Sequence, residues 1–354
     1  MKILLNSQEQ EKFLKILAIK DTNIEVSDLL LSAFQYVDFI NLEDLKNRVL
    51  NGQTEENAIK NIILDAYEID SKDLRRSFIE QTIIKKCDPT NYFNEYVKLL
   101  EGIKFSYGKY SLKKITYEPY QLFALDDIEV TDDYKEISKA GYFNKNFSYA
   151  ALFEGKDLWM SLNPNEINTM DSTIKSANGN VLVLGLGMGY ITFMLSNKKD
   201  VKSITVVERN RENIDLFKKF LFPNFKNANK IRIIEDDAIN YVKNNNKFDY
   251  IFADLWFNPE DGLEYYLKLN EIENKQSIKI DYWLETSLKQ MKRRYLIELI
   301  KEQIDGVGPE AYQSEEEIPD RIFKKLYLDT KNLEIKTIKD IKELLKWDRL
   351  KKFL

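Results

Sequence analysis

The sequence predicts an α/β protein in which an open parallel sheet lies between two helical regions. Between residue 180 and about residue 256, short apolar strands alternate with helices, and the first strand reads VLVLG. Such alternation is typical of a parallel sheet with right-handed crossover connections. Residues 1 to about 105, by contrast, have apolar positions three and four residues apart and little Gly or Pro, which is typical of amphipathic helices.

The composition excludes several classes of protein. The chain has 354 residues, a formal net charge of −5, no His and one Cys. The absence of His excludes catalytic sites that need His and metal sites built from imidazole. A single Cys excludes Cys-rich metal sites and an intrachain disulfide framework. The negative charge argues against a dedicated nucleic-acid binder, whose surface is usually basic. No apolar run approaches the roughly 20 residues of a membrane span, and the N-terminus lacks a secretory signal, so we expect a cytoplasmic protein without membrane contacts.

Residues 1–107 are predicted to form a helical N-terminal domain. Ser27 and Ser71 are predicted N-caps, and Pro89 marks a break before the last helix. Cys87 lies in the same predicted helical stretch and is interpreted as an inert thiol. We expect this domain to pack on the rest of the chain or on a second subunit, with an independent catalytic domain as the alternative.

Residues 108–165 are predicted to form a β-rich lead-in to the core sheet. The stretch is rich in aromatic and β-branched residues and is interrupted by Gly and Pro, a pattern typical of short strands and turns. Within it, the segment EGKDLWM predicts a hairpin with Gly155 at its turn.

Residues 166–300 are predicted to form the core sheet and its helices. After VLVLG come the helix MGYITFMLSN, the strand SITVVE, the helix RNRENIDLFKKFL, the strand IRIIED, the helix DAINYVKNN and the strand FDYIFADLW. The later segment IKIDYWLET is either a fifth strand or the start of a helix. Residues 301–354 are predicted to form a helical, highly charged C-terminal extension.

The strongest functional signal is the sequence VLVLGLGMGY, in which Gly185, Gly187 and Gly189 follow the first core strand. Glycines between a strand and a helix let the backbone approach a ligand closely and direct helix N–H groups toward it. The spacing G-x-G-x-G differs from the dinucleotide fingerprint G-x-G-x-x-G, because Tyr190 stands where the third glycine would fall. A nicotinamide-dependent oxidoreductase is therefore disfavoured but stays open, and a tight turn without a ligand is the structural alternative.

Three acidic residues end successive strands of the predicted sheet: Glu208, Asp237 and Asp254. Ligands of an open α/β sheet bind at the carboxyl ends of its strands, so these residues and the glycines are expected to converge. A carboxylate at Glu208 can accept hydrogen bonds from both hydroxyls of a ribose. Asp237, which precedes Ala238, can bind an adenine amino group.

The motifs VLVLGLGMGY, VVERN, EDDA and FADLW resemble those of class I S-adenosylmethionine-dependent methyltransferases. Within that superfamily, roughly residues 110–270 look closest to the spermidine-synthase-like branch, which shares the apolar first strand and the β-rich lead-in. The resemblance implies a Rossmann-like class I methyltransferase core and S-adenosylmethionine as the cofactor. The cofactor-binding residues that it implies are Gly185, Gly187, Gly189, Glu208, Asp237 and Ala238.

The resemblance also places Asp254 beside the sulfonium and the incoming nucleophile, where Asp254 would be the catalytic residue. Its carboxylate would orient the nucleophile or accept its proton, and would favour a cationic amine; a simple loop cap is the alternative. Glu166 would reach the mouth of the same pocket, or would serve only as the first-turn acid of a helix that starts near Pro164. The aromatic residues predicted to bind substrate, with packing as the alternative, are Trp256 and Tyr265.

We predict an S-adenosylmethionine-dependent transferase that acts on a small molecule. Methyl transfer ranks first, because the aminopropyltransferase loop has an Asp where this chain has Met188 and the family's D-x-x-D-P motif becomes DLWFNP. Methyl transfer depends chiefly on the placement of the nucleophile, so it tolerates the lack of His. The alternatives are aminopropyl transfer to a polyamine and a non-catalytic binding protein that kept the fold. An amine is one candidate substrate, and a homodimer is one expectation, since aminopropyltransferase relatives commonly pair.

Overall fold

The computed structural model describes residues 1–37, 39–245 and 247–351. The chain begins with a two-residue strand, β1 (Lys2–Ile3), and continues through a helical region. The helices of this region are α1 (Ser7–Phe34), α2 (Leu42–Leu50), α3 (Glu55–Ala66), α4 (Lys72–Gln81) and α5 (Glu95–Glu101).

Helix α1 is longer than the sequence predicts. Ser27 lies in its interior and caps no helix, so this prediction is wrong. Val26 and Leu30 are both buried, which shows that the apolar stripe continues past Ser27 and holds the helix together. The prediction for Ser71 is confirmed, because its side chain accepts a hydrogen bond from the Leu74 N–H at the start of α4.

A strand interrupts the region that was predicted to be helical. This strand, β2 (Thr82–Lys86), pairs in parallel with β7 (Glu136–Tyr142) of the lead-in. The run Thr-Ile-Ile explains the difference, because β-branched side chains lose rotamer freedom in a helix and pack well on a sheet. Cys87 therefore follows a strand rather than lying in a helix, and burial raises the pKa of its thiol.

Two small sheets form the β-rich lead-in. The strands of the first are β3 (Ser106–Tyr107), β4 (Tyr110–Tyr117), β8 (Phe147–Glu154) and β9 (Asp157–Ser161), which pair antiparallel in that order. The second contains β2, β7 and β5 (Phe123–Ala124), and β6 (Glu129–Val130) also pairs with β7. Gly155 has a φ of 63° between β8 and β9, which confirms the predicted hairpin.

The core is a parallel sheet, as predicted. Its strands are β10 (Gly179–Leu184), β11 (Val201–Glu208), β12 (Ile231–Glu235), β13 (Tyr250–Ala253) and β14 (Asp281–Tyr282). They lie in the order β12-β11-β10-β13-β14. After β10, the chain adds β11 and β12 on one side and then β13 and β14 on the other side. The strand order therefore reverses at β10, which creates a topological switch point. Crevices at such points are where open α/β sheets bind their ligands.

Helices alternate with these strands. They are α6 (Pro164–Ser176), α7 (Tyr190–Ser196), α8 (Arg211–Leu216), α9 (Ala238–Asn244), α10 (Pro259–Gln276) and α11 (Glu285–Ile304). The segment IKIDYWLET, for which the sequence allowed a strand or a helix start, supplies both: β14 at its centre and the first residues of α11 at its end. The α/β fold class predicted from the sequence is confirmed.

The C-terminal region is helical and packs back on the start of the chain. Its helices are α12 (Ile318–Thr330), α13 (Ile338–Leu344) and α14 (Trp347–Lys351). Between α12 and α13, β15 (Glu334–Ile335) pairs in parallel with β1. Helix α11 continues past residue 300, and the four-domain division made from the sequence remains a proposal. None of the described helices has the length and apolar character needed to cross a membrane.

Candidate active site

The glycine turn, residues 185–189, connects β10 to α7. The Gly185 N–H, at the start of the turn, donates to the Val207 carbonyl of β11. The Gly189 N–H, at its end, donates to the Leu186 carbonyl and closes the turn. The N–H groups of Gly187 and Met188 have no acceptor among the described residues. Two adjacent free donors at the carboxyl edge of a sheet are suited to binding the polar atoms of a ligand.

The three positions of the turn favour glycine for different physical reasons. All three have positive φ, which favours Gly. A Cβ on Gly185 would lie 1.9 Å from the Asp254 carbonyl oxygen, and one on Gly189 would lie 2.3 Å from the Phe217 ring. A Cβ on Gly187 would meet nothing within 4 Å. The first and last glycines are therefore required by packing, whereas Gly187 borders open space that a ligand can fill.

Glu208 ends β11 beside this turn, as predicted. One of its carboxylate oxygens accepts a hydrogen bond from the Leu186 N–H at 3.2 Å, and the other accepts one from the Asn210 N–H at 2.7 Å. These two bonds fix the orientation of the carboxylate. Because each oxygen carries a second lone pair, Glu208 can still accept hydrogen bonds from a ligand.

Asp254 and Glu166 form a carboxyl pair next to the turn. Asp254 directly follows β13, and Glu166 lies in the first turn of α6, which begins at Pro164 with Asn163 as its N-cap. Both side chains are recessed but keep some accessible surface. In the described part of the chain, neither carboxylate receives a hydrogen bond or an ion pair.

Burial, together with repulsion from a neighbouring carboxylate, raises the pKa of both carboxyl groups. Burial, followed by repulsion from Glu208, raises the pKa of Asp254 to about 7. Burial, followed by repulsion from Asp254, raises the pKa of Glu166 well above its ordinary value. A carboxyl group with a pKa near neutrality can accept a proton from a substrate and later release it. Together the two groups favour a ligand that brings positive charge.

The other predicted residues have structural contacts of their own. Asp237 is the N-cap of α9 and accepts a hydrogen bond from the Asn240 N–H at 2.8 Å, and Ala238 is the buried first residue of that helix. Trp256 is 6% exposed and its ring packs on Gly262 of α10. Trp256 therefore has little surface left for a ligand, and its indole N–H has no partner among the described residues.

Sequence reasoning missed three side chains that touch the site. The Tyr96 hydroxyl of α5 donates a hydrogen bond to the Met188 carbonyl. The Asn213 side-chain amide of α8 donates one to the Gly187 carbonyl at 3.2 Å. Arg209, next to Glu208, donates to the Tyr265 hydroxyl at 3.2 Å. No local pattern marks these residues, because each acts on a part of the chain that is distant in sequence.

Two surface pockets lie away from the glycine turn and the carboxyl pair. One, of about 650 Å³, is bordered by α5, β4 and β8, and the other, of about 410 Å³, by α9 and α10. Neither is lined by the glycine turn or the carboxyl pair, so the chemistry of the residues rather than the size of a pocket identifies the site. Among the described residues, no group of three His, Cys, Asp or Glu side chains could hold a metal ion.

The fold and the site together define a Rossmann-type protein with a glycine turn and acidic side chains at the carboxyl ends of its strands. Residues 165–273 match the family model for the spermine/spermidine synthase domain. This segment contains the core sheet through β13, the glycine turn and all the acidic residues discussed above. The spermidine-synthase-like character predicted for the core is thus supported over this part of the chain.

Curated relatives similar to part of this chain are polyamine aminopropyltransferases. The chain is 38% identical over 79 residues to polyamine aminopropyltransferases from Buchnera aphidicola subsp. Schizaphis graminum (strain Sg) and from Buchnera aphidicola subsp. Acyrthosiphon pisum (strain Tuc7). The matches cover 21% of this chain and 28% and 27% of those relatives, so the chain spans about a quarter of the length of the curated relatives it matches.

Two solved structures show distant similarity to this chain. The spermidine synthase from Thermotoga maritima matches with a TM-score of 0.29 and 17% identity, over 42% of this chain and 55% of that one. A dimethyladenosine transferase from Plasmodium falciparum matches with a TM-score of 0.23 and 24% identity, over 31% of this chain and 38% of that one.

Proposed function

We propose that this protein is an aminopropyltransferase, which moves the aminopropyl group of decarboxylated S-adenosylmethionine to an amine. The family match and the names of the relatives favour this reaction over methyl transfer, which the sequence analysis ranked first. Two differences from the family motifs lowered the rank of aminopropyl transfer: Met188 in the turn and the incomplete D-x-x-D-P motif. Each leaves the site with fewer acidic side chains than the family motif has. The structure has Glu166 next to Asp254, where it supplies a second acid from the lead-in side.

The carboxyl pair is the observation that carries the proposal. Asp254 and Glu166 are recessed, close enough to repel each other, and without a Lys or Arg partner in the described ranges. Carboxyl groups in such surroundings are stabilised when a cation binds beside them. Both reactants of aminopropyl transfer bring amino groups that are cationic at neutral pH.

The same pair discriminates between the two forms of the cosubstrate. S-adenosylmethionine has a carboxylate on its amino-acid end, which would face the pair and be repelled by whichever of its carboxyl groups is ionised. The decarboxylated form has only the ammonium group there. Opposite charges attract strongly in a recessed site of low dielectric and like charges repel, so the site favours the decarboxylated form.

The turn and the strand ends supply the binding groups for the adenosyl part. Glu208 is suited to the ribose hydroxyls, and the free N–H groups of Gly187 and Met188 are suited to polar atoms that lie over the turn. One oxygen of Asp237 caps α9, and the other can accept a hydrogen bond from the adenine amino group. Tyr265 and the small exposed part of Trp256 remain proposed substrate contacts.

The transfer is an in-line displacement that needs no metal. The acceptor enters as an ammonium ion, and Asp254, when ionised, takes a proton from it to free the nitrogen lone pair. The nitrogen attacks the aminopropyl carbon bound to the sulfonium, a new C–N bond forms, and the C–S bond breaks. The bonding pair goes to sulfur, which leaves as the neutral thioether methylthioadenosine. Binding both reactants in line supplies much of the acceleration.

Product analysis tests the proposal directly. The purified protein is incubated with decarboxylated S-adenosylmethionine and the diamine 1,4-diaminobutane, and the mixture is analysed by mass spectrometry. We expect methylthioadenosine and a triamine in equal amounts, neither of which forms without protein. A parallel reaction with S-adenosylmethionine should yield no methylated diamine. Methylated product in the second reaction and none in the first would replace aminopropyl transfer with methyl transfer.

A further inference from the structure

Two carbonyl groups of the glycine turn accept hydrogen bonds from buried side chains, one of which, Tyr96, lies outside the matched family segment. Tyr96 of α5 is fully buried, and its hydroxyl donates to the Met188 carbonyl. Its ring contacts the Tyr190 ring at 5.9 Å between centroids and the Phe193 ring at 4.9 Å. The Asn213 amide of α8, also buried, donates to the Gly187 carbonyl. Two successive carbonyls of the turn are therefore fixed by buried side chains.

Fixing a carbonyl also fixes the amide of the same peptide. The peptide plane is rigid, and in its trans form the C=O and N–H bonds point in opposite directions. The Asn213 contact therefore sets the direction of the Met188 N–H, one of the two free donors of the turn. The Tyr96 contact sets the next peptide, whose N–H, on Gly189, closes the turn onto the Leu186 carbonyl. That closure in turn fixes the Leu186–Gly187 peptide and the second free donor, the Gly187 N–H.

We propose that Tyr96 and Asn213 are positioning residues that hold the glycine turn with its free amides ready to bind the cosubstrate. This inference rests on the proposed function, and it gives the N-terminal helical region a role in binding. Burial raises the pKa of the Tyr96 hydroxyl above its ordinary value, so the hydroxyl stays protonated and can donate. A turn of three glycines with positive φ has a high conformational entropy when free, so external restraints are needed to keep one conformation.

The variant Tyr96→Phe removes the hydroxyl and leaves the ring. Isothermal titration with decarboxylated S-adenosylmethionine should show a dissociation constant that is roughly tenfold higher than for the wild type, which is about 1.4 kcal/mol. The KM for the diamine should stay within twofold, because the restraint acts on the cosubstrate side only. The matched control is Tyr92→Phe, since Tyr92 is also buried and its hydroxyl accepts from Asn168 at 3.4 Å, away from the turn. The control should bind as the wild type does.

A second measurement needs no ligand. Amide hydrogen exchange over the peptide that contains residues 186–190 should be at least about fivefold faster in Tyr96→Phe and in Asn213→Ala than in the wild type and Tyr92→Phe. Unchanged exchange in both variants, or cosubstrate affinity within twofold of the wild type, would overturn the inference. A wild type that binds no form of the cosubstrate would contradict the proposed function, while the exchange result would still decide whether the two side chains hold the turn.

Discussion

At the scale of single residues, the account depends on Asp254. Its position after β13 was predicted from the sequence, because a strand that ends in an acid can be recognised from the residues alone. The sequence also predicted that Asp254 and Glu208 converge at the strand ends, but it could not predict how deeply Asp254 is recessed. The raised pKa arises from burial and from the nearby charge of Glu208, which comes from a different strand. Glu166 was expected either at the mouth of the same pocket or as the first-turn acid of a helix, and it does lie in the first turn of α6. Its raised pKa depends on burial, which the sequence does not reveal.

The variant Asp254→Asn should lose at least about 100-fold in turnover, because the amide cannot accept a proton. In the wild type, kcat/KM should fall with decreasing pH below about 7, since Asp254 is then protonated. Steady-state kinetics between pH 5.5 and 8.5 measures both effects. Asp200→Asn, at an exposed site with the same loss of charge, should behave as the wild type. Unchanged turnover in Asp254→Asn would remove this residue from the chemistry.

The same group should make the protein less stable at neutral pH. The pKa of Asp254 is about 7 in the folded chain, against an ordinary value of 3.8 for an aspartate, so the folded state binds more protons between these limits. The free energy of unfolding should therefore fall as the pH rises from about 4 to 7. Asp254→Asn removes this penalty and should be more stable than the wild type by about 1–3 kcal/mol at pH 8, with a smaller difference at pH 4. Urea unfolding at both pH values measures the effect, and an equal difference at the two would contradict it.

At the scale of elements, periodicity identified the core strands and most helices correctly. It failed at β2, a five-residue strand that directly follows α4. This strand pairs with β7, which lies some fifty residues later in the chain. Short strands of this kind are specified by their partner as much as by their own residues. The glycine turn was recognised from spacing, but only the structure shows that its glycines differ in function.

The glycines should therefore respond differently to substitution. Gly185→Ala places a Cβ against the Asp254 carbonyl oxygen and should destabilise the fold by about 3 kcal/mol or more. Gly187→Ala has space for its Cβ and should cost only about 1 kcal/mol for the left-handed backbone. It should nevertheless bind the cosubstrate roughly tenfold more weakly, because the methyl group occupies ligand space. Thermal unfolding and titration of both variants test this contrast; normal binding by Gly187→Ala would move the ligand away from the turn.

At the scale of the whole molecule, a buried polar network ties the N-terminal helical region and helix α11 of the core to the lead-in. The Glu136 carboxylate of β7 accepts from Gln290 at 2.9 Å and from Arg294 at 2.8 Å, both in α11. Asn23 of α1 and Gln81 of α4 bond to the backbone of Glu136. None of these contacts could be predicted, since they join residues up to 158 positions apart. They explain how a helical region of about 100 residues is attached to the core.

Glu136→Ala should lower the free energy of unfolding by about 3 kcal/mol, because it leaves the Arg294 guanidinium without its carboxylate. Denaturant unfolding should shift equally when followed by circular dichroism and by tryptophan fluorescence, since the network joins the regions that each signal reports. Glu129→Ala, whose side chain is 64% exposed and pairs with Lys139, should change stability by less than about 0.5 kcal/mol. A shift in one signal alone would show that the regions unfold independently.

The preference for the decarboxylated cosubstrate is the central claim, and competitive titration tests it most directly. Isothermal titration of the wild type should show that decarboxylated S-adenosylmethionine binds at least about tenfold more tightly than S-adenosylmethionine, because the Asp254–Glu166 pair repels a carboxylate. Glu166→Gln should reduce this preference and leave the fold intact. Equal or tighter binding of S-adenosylmethionine by the wild type would contradict the account and return methyl transfer to first place.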